Sequence, residues 1–119
     1  MRHRNKKHLK LKKRDVGHRN SIYRNLLTGL FTHTSIITTE KRALAITPKA
    51  HRLIEVANSD TEEHNKIRSI MAELFTIESS VSLMTLAKAY KERTGGYTRI
   101  TAIKYRDGDN AKLVKLELV

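Results

Sequence analysis

The residues with the sharpest chemistry are six histidines, His3, His8, His18, His33, His51 and His64, and two closely spaced carboxylates, Asp107 and Asp109. Zinc hydrolases place a helical pair of histidines beside a carboxylate, and no pair here has that arrangement. Three of the six lie in or beside a cationic stretch, so they read as partner-facing or surface histidines rather than metal ligands. Asp107 and Asp109 belong to Asp107-Gly108-Asp109-Asn110, which makes a turn before it makes an acid–base pair. Gly95-Gly96 lacks the spacing and the Lys-Ser/Thr of a phosphate loop and reads as a helix stop. With no cysteine in the chain there is no disulfide framework, thiol nucleophile or Cys-based zinc site, a composition that suits a reducing cytosol. No nucleophile, base and orienting group can be assembled. The chain reads as a non-enzyme, with no metal, cofactor or small-molecule substrate.

What remains is electrostatic. Through Arg24 the chain carries Arg2, Arg4, Lys6, Lys7, Lys10, Lys12, Lys13, Arg14, Arg19 and Arg24, opposed by Asp15 alone, which is +9 of a formal net charge of +12. Residues 25–119 hold fourteen Lys/Arg against eleven Asp/Glu, close to the balance of an ordinary protein. The excess is local: a binding device on a conventional body. Fixing 14 backbone residues costs roughly 15–25 kcal/mol, at about 1–2 kcal/mol each. Burying Leu9 and Leu11 returns about 1.5–3 kcal/mol apiece. Residues 1–14 are therefore expected to be an arm that is unstructured alone and ordered by a polyanion. Residues 15–119 are expected to form a single globular domain, since the length leaves no room for a second core.

Several elements are needed to carry that arm. Asp15 can cap a helix running to about Thr32, with Ile22, Tyr23, Leu26, Leu27, Leu30 and Phe31 on one face and Arg19, Asn20, Arg24 and Thr28 on the other. Ser35-Ile36-Ile37-Thr38-Thr39 is β-branched and reads as a strand. Glu40 to Asn58 reads as a helix that Pro48 should kink or split. Ser59-Asp60-Thr61-Glu62-Glu63 offers a capping box for a third helix with a core stripe of Ile67, Ile70, Met71, Leu74 and Phe75. A fourth helix starts at Ser79-Ser80, with Val81, Leu83, Met84, Leu86, Ala87 and Tyr90 apolar, and ends at Gly95-Gly96. Tyr97 to Arg106 and Ala111 to Val119 read as strands joined by the Asp107–Asn110 turn. A lone hairpin is marginal in water, so the Ile36-Ile37 strand is the expected third member. The fold class is α+β: several helices packed on one face of a small three-stranded mixed sheet, with a basic N-terminal arm.

The density and nearly pure sign of the arm point to nucleic acid. An anionic membrane fits less well, because the arm lacks a bulky apolar face. No run approaches the length of a membrane span, and the N-terminus lacks a signal peptide's apolar core. Aromatics are few and tryptophan is absent, against a base-stacking surface. Composition is silent between RNA and DNA. No helix-turn-helix or zinc finger organises the arm for groove reading, which favours a dense, shaped phosphate surface.

The two ends of the chain carry a family pattern. Met1-Arg2-His3-Arg4, Leu11, His18-Arg19, Arg24-Asn25 and Ile37-Thr38-Thr39 followed by Ala43 resemble the start of the bacterial ribosomal protein seventeen family of the large subunit. Arg93-Thr94-Gly95-Gly96-Tyr97-Thr98-Arg99-Ile100, Arg106-Asp107-Gly108-Asp109-Asn110-Ala111 and Glu117-Leu118-Val119 resemble its end. The resemblance implies a structural constituent of the large (50S) subunit, cytoplasmic, binding 23S rRNA and touching ribosomal protein thirty-two. It implies a small-sheet α+β fold near the exit-tunnel side, with the basic N-terminal segment against RNA. The candidate RNA-binding residues are Arg2, His3, Arg4, Lys6, Lys7, Lys10, Lys12, Lys13, Arg14, His18, Arg19, Arg24 and Arg99. Departures lie in the middle, where Ile46-Thr47-Pro48-Lys49-Ala50 replaces an arginine-rich stretch and Glu62, Glu63, Glu73 and Glu78 stand where the family is often more basic. A free-standing nucleoid or DNA-compacting protein is the competing class, and an RNA-acting enzyme the third.

Overall fold

In the computed structural model the described residues are 15–119, so the expectations for residues 1–14 lie outside them. Asp15 caps the first helix, α1 (Val16–His33), its carboxylate accepting from the Gly17 amide at 2.9 Å. Tyr23, Leu27, Leu30 and Phe31 fall on one face of α1 and are buried. Thr34 closes the helix in the left-handed region at φ 63, an uncommon conformation for a β-branched residue. Its carbonyl then accepts from the Leu118 amide at 2.9 Å, tying the turn to the far end of the chain.

The strand β1 (Ser35–Thr39) follows, and then α2 (Glu40–Ala57), α3 (Glu63–Glu73), α4 (Ile77–Ala89), β2 (Thr98–Tyr105) and β3 (Lys112–Leu118). The sheet order is β1-β3-β2, with both pairings antiparallel. A mixed sheet is therefore not what forms. β1 and β2 run the same way, but β3 stands between them, so no parallel ladder is made. Val114 and Leu116 of β3 are buried, while Leu113, Lys115 and Glu117 alternate onto the opposite face. The helices cover the first of these faces, and the core is built from Leu27, Leu30, Phe31, Ile46, Ile54, Ile70, Leu83, Val114 and Leu116.

Four local expectations are corrected. α2 runs unbroken through Pro48, so of the kink or split expected there the split does not occur, and Ala43 and Ile46 before it and Ala50, Leu53 and Ile54 after it are all buried. The capping box at residues 59–63 does not form: α3 begins after Glu62 without a side-chain cap, and the Ser59 hydroxyl donates to the Val56 carbonyl at 2.7 Å instead. The α3 stripe is buried at Ile70 and Leu74 but open at Ile67, Met71 and Phe75, which are 41, 46 and 46% exposed. α4 starts earlier than expected, capped by Thr76 accepting from the Ser79 amide at 3.2 Å. It ends at Ala89, well before Gly95-Gly96, and buries Leu83, Ala87 and Tyr90 but not Val81. Of the two glycines Gly96 takes a positive φ, 68°, in the turn that delivers Tyr97 to the core.

Candidate nucleic-acid interface

Four of the sequence-predicted contact residues lie among those described, and they do not form one cluster. His18 is exposed in the first turn of α1 and Arg19 is half-buried beside it. Arg99 projects from β2 on the sheet face away from the helices, its Nη1 3.8 Å from Glu117 Oε1. Arg24 turns inward. Its Nη2 donates to the Leu74 carbonyl at 3.3 Å, and the guanidinium carbon lies 4.1 Å from the Phe75 ring centroid. Its Nε is buried with no hydrogen-bond partner among the described residues. The neighbouring Thr28 hydroxyl donates to the Arg24 carbonyl at 2.7 Å and accepts from the Phe75 amide at 3.0 Å. The Arg24–Thr28 side of α1, read from sequence as a polar face, is a joint to the α3–α4 connection. Arg2, His3, Arg4, Lys6, Lys7, Lys10, Lys12, Lys13 and Arg14 lie outside the described residues.

Packing adds cations that sequence spacing missed. Lys49, one residue past Pro48 on α2, holds its Nζ 4.9 Å from the centroid of the Tyr23 ring. Tyr23 is one turn beyond Arg19 on α1, so Lys49 adds a positive charge beside the basic start of that helix. Together with Arg52 it lines a depression of about 310 Å³ between α2 and α3. Contacts between elements 26 positions apart leave no periodic trace, so no sequence signal announces this one.

The C-terminal motif residues are structural before they are anything else. Arg93 Nη1 donates to the Val119 carbonyl at 2.6 Å, and the Arg93 carbonyl accepts from the Tyr97 hydroxyl at 2.9 Å. Tyr97 is packed against Tyr90 at 5.5 Å and edge-on against His51 at 5.3 Å. The Tyr90 hydroxyl is pushed up by burial, with the nearby Arg93 acting against that shift. In the hairpin turn Arg106 grips Asp109 through both carboxylate oxygens. That grip, helped by the Ala111 amide, holds the Asp109 carboxyl down at about 2. A depressed carboxylate favours the fold above its ordinary range and loses that contribution as pH falls toward 2. Among the described residues no three His, Asp or Glu side chains gather where they could hold a metal ion.

The sequence that builds this closed core, with cations at its margins and an arginine-locked glycine-tyrosine corner, is similar to those of known proteins. The family model described as Ribosomal protein L17 matches residues 22–119. The chain belongs to the ribosomal protein L17 family. A relative from Chloroflexus aurantiacus named Large ribosomal subunit protein bL17 is 39% identical over 111 residues, covering 92% of this chain and 94% of its own. Relatives of the same name from Pelobacter propionicus and Solibacter usitatus are 34 and 41% identical, over 89 and 90% of this chain and 83 and 71% of theirs. The L17 match starts at residue 22, so it rests on the folded body, from the Tyr23–Phe31 stripe through the terminal strand. The family so matched is one of ribosomal proteins and not of enzymes.

Proposed function

We propose that the chain is a structural constituent of the large ribosomal subunit, binding 23S rRNA through the arm at residues 1–14 and the start of α1, with residues 15–119 as the folded platform. One observation carries the reading: +9 of the net +12 lies at or before Arg24 in a chain whose remainder is nearly balanced. Such a charge block, set on a body of L17 type, suits phosphate neutralisation and counterion release. The contact set is Arg2, His3, Arg4, Lys6, Lys7, Lys10, Lys12, Lys13, Arg14, His18, Arg19 and Arg99. Arg24 belongs to it through its charge, with its guanidinium anchored on Leu74 and Phe75. Ribosomal protein thirty-two is the expected neighbour, and the cytoplasm the expected compartment.

Co-sedimentation with the large subunit through a high-salt wash separates this reading from a DNA-compacting protein and from an RNA-acting enzyme, both of which should wash off. On isolated rRNA, affinity should fall by about 0.7–0.9 log units per log unit of salt for each phosphate contact. Neutralising Lys6, Lys7, Lys10, Lys12 and Lys13 together should flatten that slope. A slope that stays unchanged would move the RNA surface off the arm.

A further inference from the structure

The sheet carries a second concentration of positive charge that the arm does not explain. The three strands hold Arg99, Lys104, Lys112 and Lys115 against Glu117 alone. Among them β2 is a sheet edge, exposed from Arg99 to Tyr105, and it contains no acid. Its register decides which side chains share a face. Arg99 lies opposite Glu117 and Thr101 opposite Lys115, all on the side away from the helices, and Ile37 of β1 meets Lys115 from the other flank.

A regular ladder beyond Ala102 would set Ile103 opposite Leu113 and turn Lys104 toward the helix side. The register instead shifts between Ala102 and Lys104, and Lys104 pairs with Leu113. Because side chains alternate along a strand, this bulge brings Lys104 onto the face of Arg99, Thr101 and Lys115. Glu117 is the acid that β1, β2 and β3 contribute there, and it is shared, with Lys115 Nζ 3.3 Å from one oxygen and Arg99 Nη1 3.8 Å from the other. Three cations face one carboxylate. Charge scattered along an edge strand would be enough to discourage strand pairing. A bulge that collects the cations on one open face goes beyond that need.

We propose that this face, built on Arg99, Lys104 and Lys115 with Thr101 between them, is a second phosphate-binding surface. Its ligand is the sugar-phosphate backbone of an RNA segment other than the one the arm engages. Base stacking is not its mode, since Tyr105 pairs with Lys112 and so falls on the opposite side of the strand. The proposal rests on the rRNA-binding reading, takes Arg99 from its contact set, and adds Thr101, Lys104 and Lys115 as a separate surface around it.

The test uses the full chain and purified large-subunit rRNA. The triple variant Arg99→Gln, Lys104→Gln, Lys115→Gln should lower the salt slope by about 2, at roughly 0.7–0.9 per lost contact. Glu117→Gln should bind severalfold more tightly than the wild type, a gain that misfolding cannot mimic. Wild-type slope and affinity in both variants would overturn the proposal. In assembled subunits, benzoylphenylalanine in place of Thr101 should crosslink to rRNA. A crosslink to protein, or none from a chain that co-sediments, would overturn the sheet surface and leave the ribosomal reading standing. A wild-type chain that fails to co-sediment would remove both.

Discussion

α1 and α3 present the same sequence signal, apolar residues at helical spacing, and meet different fates. In α1 Leu27, Leu30 and Phe31 have no exposed surface, whereas in α3 Ile70 is sealed and Ile67 and Met71 are left nearly half open. The difference lies in the neighbours. α1 packs against α2, α4, β1 and β3, while α3 touches α2 and α4. Ile67 and Met71 therefore face a groove of about 400 Å³ shared with Ile77 and Val81 of α4. Periodicity names the face a helix wants covered. It does not say whether the same chain covers it.

The largest effect should come from the sealed side. Phe31→Ala removes a fully buried ring of α1 from the core, and such truncations cost about 3–5 kcal/mol. Against a typical domain stability of about 5–15 kcal/mol, that should lower the melting midpoint steeply or abolish cooperative unfolding. A mild loss, comparable to a surface substitution, would mean that α1 is not the centre of the core and would erase the contrast with α3.

Much of this was legible beforehand, and the failures share a cause. Asp15 as a cap, the Ile36-Ile37 strand as the third sheet member and the Asp107–Asn110 turn are local signals, and each is where local chemistry puts it. The capping box at residues 59–63, the Ser79-Ser80 start and the Gly95-Gly96 stop are also local signals, and tertiary structure overrode all three. Thr76, one turn upstream, accepts from the Ser79 amide and starts α4 directly after the Leu74–Phe75 segment that Arg24 contacts. Arg24 read as a free cation because nothing in its neighbourhood foretells Leu74, fifty positions away. The shift at Ile103 could not be read either, since a bulge is a property of two paired strands and not of one.

Arg24 ties α1 to the Leu74–Phe75 segment that follows α3, which makes it the next test. Arg24→Ala removes the hydrogen bond to Leu74 and the contact with Phe75, together about 1–2 kcal/mol. Arg24→Lys should recover part of that at most, because a compact ammonium lacks the planar fork that stacks on a ring and reaches a carbonyl at once. Chemical denaturation of both variants checks this. Full stability in the lysine variant would reduce Arg24 to a point charge whose fork and ring contact contribute nothing to the joint.

The smallest effect should come from the open side, and it sharpens the comparison most. Ile67 and Met71 already spend much of their surface in water, so Ile67→Ala and Met71→Ala should each cost about 1 kcal/mol or less. Global melts will barely register such changes, so hydrogen exchange is the better measurement. Local opening draws on the least-packed elements, and α3 has a short, uncapped start and two neighbouring elements. Its amides should exchange through openings of lower free energy than those of α1 in the wild type. The two alanine variants should lower that value further in α3 while leaving the Leu27–Phe31 amides protected. Exchange in α3 that matches α1, or that falls in both helices together, would show one cooperative unit. The open stripe would then belong to the core's own stability, and the two helices would differ in exposure alone.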